Sequence, residues 1–349
     1  MGALTPSFLF DLESNIRTIV NQDYNRLLSN LWWTKIAKEV PSKSKKEHFA
    51  WLLDTAQIRR SGHGGNVQFD DLAAIETSVE ALNASAGLRI TKEKLDDLDS
   101  NGKPGGEGLR LAANWARMVG AYAAYWPQKS VAKALLANPI GYDEKTFFAA
   151  DHPVNPFMPS AGTFANVFTG AASGAYPGAL PIDTSVSVED AIANIAKAIA
   201  YIATIAMPNG VDPRFLRVGS LFVPPALTAR AQQLTNAKFI AQTAAAAAAG
   251  SGDVEAVIRN FGLGQPVEVP ELSAAFGGSD TTWYIGCEDI LSNELGAMAY
   301  VNREPFSVLY YGPQTDAQLA RIREFQWTIE GRNEIMPGHP FLLFKCDAT

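Results

Sequence analysis

Asp99-Ser100-Asn101-Gly102-Lys103-Pro104-Gly105-Gly106 is a dense cluster of chain-breaking residues, and a long apolar stripe at helical spacing follows it. Leu111, Trp115, Met118, Val119, Tyr122 and Trp126 recur at the steps that put side chains on one side of a 3.6-residue helix. Pro127 interrupts the run, and Val131, Leu135 and Leu136 carry it on to Asn138, so the spacing predicts a spine helix with a kink or restart at Pro127. A helix of that length crosses a whole domain, and the rest of the chain has to be arranged along it.

Other elements follow from the same periodicities. Leu12, Ile16, Ile19, Val20, Leu27 and Leu31 predict a first helix over Ser7 to Asn30, ending on the adjacent pair Trp32 and Trp33. Two neighbouring tryptophans need either a partner's cover or a place in the chain's own core, and both readings stand at this point. Between Phe49 and Asp99 the pattern alternates and breaks: Arg59 to Gly65 is turn-like, Ile75 to Leu82 has strand character, and Gly87 to Thr91 reads as the returning strand. This predicts a long, polar, two-stranded projection, which alone would be marginal in water. Ser187, with Asp190 three residues on, caps a second helix carrying Val188, Ile192, Ile195, Ile199 and Ile202. A strand over Phe215 to Val223, then Pro224-Pro225 and a helix through Leu227, Ala231 and Leu234, make a compact α/β module. Ala244 to Gly252 reads equally as a short helix ended by glycine and as a loop. Strand-like runs follow at 267–269, 281–287, 298–301, 306–311, 326–329 and 341–344, so the chain ends in β structure.

Composition limits what such a chain can do. With 349 residues, 47% of them hydrophobic, there is enough apolar surface for a large core. A net charge of -7 argues against tight nucleic-acid binding, which needs clustered Lys and Arg. Cys287 and Cys346 lack any CxxC or Cys/His spacing, so two buried, reduced thiols are expected, with no disulfide framework and no zinc site. The first residues carry no basic-then-apolar leader pattern, and no stretch reaches the ~18 apolar residues of a membrane span, which predicts a cytosolic product with no membrane partner.

Chemistry-bearing patterns are sparse. Asp151-His152 has the residue types of an acid-base pair, the basis of a rival reading as a soluble α/β hydrolase-like enzyme. Adjacent residues of an extended segment point to opposite sides, and no GxSxG motif supplies a nucleophile. The alternative is that both residues brace the turn before Pro153. Gly102 to Gly108 precedes a helix but lacks the GxxxxGK[ST] spacing of a phosphate loop. Asp96, Asp97 and Asp99 have no EF-hand pattern and read as a solvated face or as partners for a neighbour's arginines. No catalytic residue, cofactor or metal is therefore expected. Arg59, Arg60, Arg89 and Arg110 flank the projection and suit contacts with acidic groups of another subunit, or ordinary surface charge.

Several segments match a known family in order. They are Trp33-Thr34-Lys35-Ile36-Ala37, Val40-Pro41-Ser42, Phe49-Ala50-Trp51-Leu52 with Arg59, and Arg89 to Asp97. Later come Leu135-Leu136-Ala137-Asn138-Pro139, Tyr142 to Phe148, Asp151-His152-Pro153-Val154, Phe222 to Leu227 and Trp283-Tyr284-Ile285. Read together they resemble the major head proteins of Mu-type bacteriophages over most of the chain; from Asn155 to Asp183 the sequence departs from that pattern. The resemblance implies an α+β, tailed-phage (Hong Kong 97-like) capsid fold. Its parts would be an N-terminal arm with helix (1–48), an extended β-hairpin loop (49–106), a peripheral domain with the spine helix and a connection (107–183), an axial α/β domain (184–300), and C-terminal strands rejoining the peripheral domain (301–349). It also implies a major capsid protein rather than an enzyme, a virion component assembled in the host bacterial cytoplasm. Its partner would be itself, in pentamers and hexamers of an icosahedral shell enclosing double-stranded DNA without sequence-specific binding. A scaffold, a portal and a maturation protease would accompany it. The inter-subunit contact candidates are Trp32, Trp33, Arg59, Arg60, Arg89, Asp96, Asp97 and Arg110. A minor virion protein, for head decoration or a tail tube, is the structural alternative.

Overall fold

The computed structural model describes residues 6–28, 31–52, 74–96, 106–236, 263–290, 296–312, 315, 318, 321 and 324–348. In chain order they form helix α1 (Pro6–Leu28), strands β1 (Ala37–Pro41), β2 (Lys46–Leu52), β3 (Ala74–Glu80) and β4 (Leu82–Thr91), and helices α2 (Lys92–Asp96) and α3 (Gly106–Ala137). The short strands β5 (His152–Pro153), β6 (Thr163–Phe164) and β7 (Val167–Phe168) lead to α4 (Val188–Ile202), β8 (Leu216–Val223) and α5 (Pro225–Asn236). Strands β9 (Val267–Glu268), β10 (Trp283–Asp289), β11 (Met298–Tyr311), β12 (Glu324–Pro337) and β13 (Leu343–Cys346) follow. The Ala244–Gly252 run lies outside the described residues.

Two sheets organise these elements. One has four strands in the order β1-β11-β12-β4, with β1 parallel to β11 and the other pairs antiparallel. The other has five, in the order β7-β13-β10-β8-β9. Two strand expectations need correction. The separate runs 298–301 and 306–311 form the single strand β11, with register shifts between Asn302 and Ser307 that bend it without ending it. The terminal strand β13 lies between β7 and β10 in the five-stranded sheet, while only β11 and β12 rejoin the four-stranded sheet beside α3.

Helix α3 links the two cores. Its first half sets Ala112, Ala116, Val119 and Ala123 against Leu12, Ile16 and Val20 of α1 and against Phe325, Trp327 and Ile329 of β12. Those β12 residues alternate with more exposed ones, as a strand with one covered face requires. The small α3 residues let α1 approach closely: a Cβ on Gly120 would lie 2.6 Å from the Val20 carbonyl oxygen. Its second half sets Val131, Ala132 and Leu135 in the other core, with Ile195 and Ile202 of α4, Leu221 and Phe222 of β8, and Trp283 and Ile285 of β10.

Pro127 sits at this crossover, inside a helix that runs on unbroken rather than restarting. Flanking side chains tie the crossover down: Trp126 Nε1 donates to Asn333 Oδ1 at 2.7 Å, and Gln128 Nε2 donates to Glu271 Oε1 at 2.6 Å. Asn138, with φ of 48°, ends the helix, and its side chain brackets Phe148 through the backbone N–H and carbonyl. Ser187 caps α4, accepting from the Asp190 backbone N–H at 3.0 Å as its spacing predicts.

Candidate assembly surfaces

The two-stranded element differs from its expected form in pairing and in placement. Strand β3 pairs with β2, from Lys46 opposite Glu80 to Leu52 opposite Ala74, while β4 joins β12 along its whole length. The residues read as the returning strand therefore belong to the four-stranded sheet. Alternation explains why: Leu88 and Ile90 face the core with Phe325 and Trp327, a burial no isolated hairpin offers. Nor does the described part of the β2–β3 hairpin stand free. Phe49, Trp51, Ile75 and Val79 turn one face onto Tyr142, Ala299 and Met336, and Trp51 is 2% exposed. The opposite face carries ion pairs, Lys45 with Glu80 at 3.0 Å and His48 with Glu76 at 2.5 Å.

Helix α3 shows a second difference. The predicted stripe is split: Val119 is buried, but Leu111, Met118 and Tyr122 look outward, Met118 being 72% exposed. Tyr122 and Trp126, with Val119 and Phe306, line a groove whose other wall is Ala84 and Ala86 of β4. Lys129 Nζ lies over both rings, 5.1 Å from the Tyr122 centroid and 5.6 Å from that of Trp126. The periodicity of the large residues gives a shared stripe and does not say that part of it faces outward. The alanines at 112, 116 and 123 carried the signal, since small residues recurring at helical steps mark the side on which another helix lies close.

The predicted contact residues scatter. Trp32 and Trp33 are 5% and 6% exposed and pack in the chain's own core, Trp32 edge-on to Phe222 and Trp33 against Tyr300. As contact candidates they are corrected: large aromatic area reached cover within the chain before any partner was needed. Arg89 is exposed and pairs with Glu324 across β4–β12 at 3.5 Å. Arg110 is exposed on α3. Asp96 closes α2, with its side chain outside the described residues, as are Arg59, Arg60 and Asp97 altogether. Of these charges only Arg89 and Arg110 have described side chains, and they lie on different elements, β4 and α3.

Around His152 the partner is Asp143 instead of Asp151. His152 Nδ1 faces Asp143 Oδ2 at 2.5 Å, and both side chains are almost fully buried. Its Nε2 faces two acceptors, the Phe147 carbonyl at 3.1 Å and Asn166 Oδ1 at 3.2 Å. Asn166 is held in that orientation by donating to Phe147 O and Pro340 O while accepting from the Ala149 N–H. Asp151 lies at the surface, and the Lys145 ammonium beside it holds its carboxyl below the usual range. With both ring nitrogens engaged and the ring sealed, His152 has no edge to offer a substrate. It braces the 142–166 turns, the second of the two readings of this motif. Cys287 and Cys346 are buried and unbonded, with burial pushing both thiols up. Among the described residues no cluster of three or more His, Cys, Asp or Glu is arranged to hold a metal, and no helix is long and apolar enough to cross a membrane.

Comparison with known proteins gives the chain its class. The profile of the Mu-like prophage major head subunit gpT family matches residues 10–192, more than half of the chain. The chain belongs to the Mu-like prophage major head subunit family. A second profile, described as phage capsid protein, matches residues 146–328, so capsid-type sequence extends well beyond the first match. The head subunit also resembles solved capsids in fold. For the procapsid of bacteriophage JBD30 the identity is 14% and the TM-score 0.50, over 99% of this chain and 76% of that one. For the capsid of cyanophage P-SCSP1u the values are 13% and 0.53, over 91% and 88%. For the mature capsid of bacteriophage PhiM1 they are 13% and 0.51, over 91% and 87%. No match was found among curated protein sequences. The Hong Kong 97-like capsid fold expected from the sequence is thus the fold of this head subunit. Its family is structural, and as a head-shell protein it associates with copies of itself as a component of the virion.

Proposed function

We propose that this chain is the major capsid protein of a Mu-like phage or prophage, that its copies close into an icosahedral shell of pentamers and hexamers, and that the shell encloses double-stranded DNA without reading its sequence. The match of the head-subunit profile to residues 10–192 carries this reading. Two physical features support it. The net charge of -7 is in keeping with a protein that does not adhere tightly to packaged duplex. The outward face of α3 gives an apolar strip, with Arg110 on the same helix, that suits a neighbouring subunit better than water. Each such contact can be weak, because closure of a shell makes many of them simultaneous. Assembly is assigned to the host cytoplasm, with a scaffold, a portal and a maturation protease as further partners.

The test is electron microscopy of the purified chain with sedimentation velocity on the same sample, alone and with crowding agents or a co-expressed scaffold. Closed shells, or rings of five and six, are the expected result. A homogeneous monomer or dimer under all of these conditions would overturn the proposal.

A further inference from the structure

Trp51 is the point at which the β2–β3 hairpin is fastened to the body. Its ring stacks on Tyr142 with centroids 5.0 Å apart and an interplanar angle of 23°, and it meets His339 edge-on at 4.9 Å. Its Nε1 donates to Thr77 Oγ1 at 2.6 Å, so the indole is oriented by its own hairpin and received by a socket on the body. The far wall of the socket is Phe341, stacked on His339 at 4.7 Å, with the Arg214 guanidinium 3.3 Å from the centre of the Phe341 ring. Arg214 is itself paired with the buried Asp289 at 3.1 Å.

Within this socket His339 has an unusual environment. Its ring is half-buried, yet Nδ1 is sealed from solvent and has no hydrogen-bond partner. The neutral ring tolerates this by carrying its proton on Nε2. A second proton on Nδ1 would place an N–H and a shared positive charge where nothing accepts them.

We propose that Trp51 and His339 form an acid-sensitive latch: the hairpin stays seated while the His339 ring is neutral, and protonation of that ring is coupled to withdrawal of Trp51 and release of the hairpin. Trp51 is the member of the socket that belongs to a separable element, so its withdrawal is the movement that admits water to the ring. Burial, with Arg214 next in weight and Asp289 opposing, pushes His339 down to about 3 in the seated state. In the released state water reaches the ring and its value rises towards the ordinary histidine value of about 6.5, with Arg214, which stays on the body, holding it somewhat below. Because the seated value is the lower one, the latch holds fully above about pH 6.5 and weakens as pH falls towards about 3, the opening constant rising about tenfold per pH unit in between.

Tyr142 is neutral throughout, since burial pushes its hydroxyl up. Asp143 and His152 are paired to each other behind Tyr142, and Arg214 and Asp289 are paired beneath Phe341. His48 and Glu76 pair on the exposed face of the hairpin, away from the socket.

Hydrogen exchange of the full chain, followed by mass spectrometry from pH 7 to pH 4 and corrected for the intrinsic rate, reads the opening of β2–β3 directly. Protection of these strands should fall about tenfold per pH unit below about pH 6, while protection of β10 in the same molecules changes far less. His339→Phe, which keeps an aromatic ring in the socket, should flatten that dependence, and Trp51→Ala should release the hairpin already at pH 7. An undiminished slope in His339→Phe, a slope abolished instead by His48→Gln, or full hairpin protection in Trp51→Ala would each overturn the latch.

Discussion

At the residue scale, His152 shows how one side chain can hold several turns in place. Asp143 on one nitrogen, and Phe147 O with Asn166 on the other, join three stretches of irregular chain at a point with no access to water. Removing one member of such a buried pair strands the other, at a cost of about 3–5 kcal/mol. Asp143→Ala should therefore lower stability by that amount in urea unfolding, whereas Asp151→Ala, at the exposed pair with Lys145, should change it by less than about 1 kcal/mol. Equal effects of the two substitutions would contradict the assignment of Asp143 as the partner. The motif itself was legible in the sequence as Asp151-His152, but its working acid was not. Asp143 lies nine residues upstream, and only the folding-back of the 142–152 turns brings it to the ring.

At the scale of the element, α3 was predicted in place and extent, and its orientation was not. Periodicity marks which residues share a stripe; it does not say which of two apolar stripes faces inward. The helix turns its alanines to α1 because the close approach at Gly120 buries more backbone than a bulky face would permit, and this leaves Met118 and Tyr122 outside. Met118→Glu is then a change at a solvent-facing position, expected to move stability by no more than about 0.5 kcal/mol. Under the proposed function it should nonetheless reduce the assembled fraction in sedimentation velocity at least tenfold, since a charge placed in a repeated contact is counted once per interface. Normal assembly of this variant would remove the α3 face from the list of contacts.

At the scale of the whole molecule, the crossover at Pro127 decides whether the two cores move as one. Glu271, in the short 3-10 helix Pro270–Leu272, accepts from Gln128 Nε2 at 2.6 Å and from Trp32 Nε1 at 3.4 Å, and it hydrogen-bonds the Tyr125 hydroxyl. Gln128 Oε1 in turn accepts from the Trp32 backbone N–H at 3.2 Å. One carboxylate thus gathers α3, the segment after α1 and the module that ends in β10, beside a proline that has removed one helical hydrogen bond. Glu271→Ala should cost about 2 kcal/mol and raise hydrogen exchange around residues 125–130 more than in β10. Unchanged protection would show that the clamp is an ordinary surface contact, and a uniform loss across the chain that the two cores open only together.

By itself the sequence determined the class of the chain and most of its regular elements. Periodicity, capping residues and breaker clusters are local, and they mark α1, α3, α4, β8 and α5 with little help from the rest of the fold. The order of its aromatic and turn segments was enough to reach the head-protein family later matched at residues 10–192. Only the tertiary structure decided which strand pairs with which, that Trp32 and Trp33 are covered from within, which acid serves His152, and which side of α3 faces out. The strand pairings, the cover of the tryptophans and the outward side of α3 depend on residues far away in the chain competing for the same surface, and the acid of His152 on how the turns between them fold back. Such a competition is settled by the burial of the whole assembly of elements, which a short window of sequence does not contain.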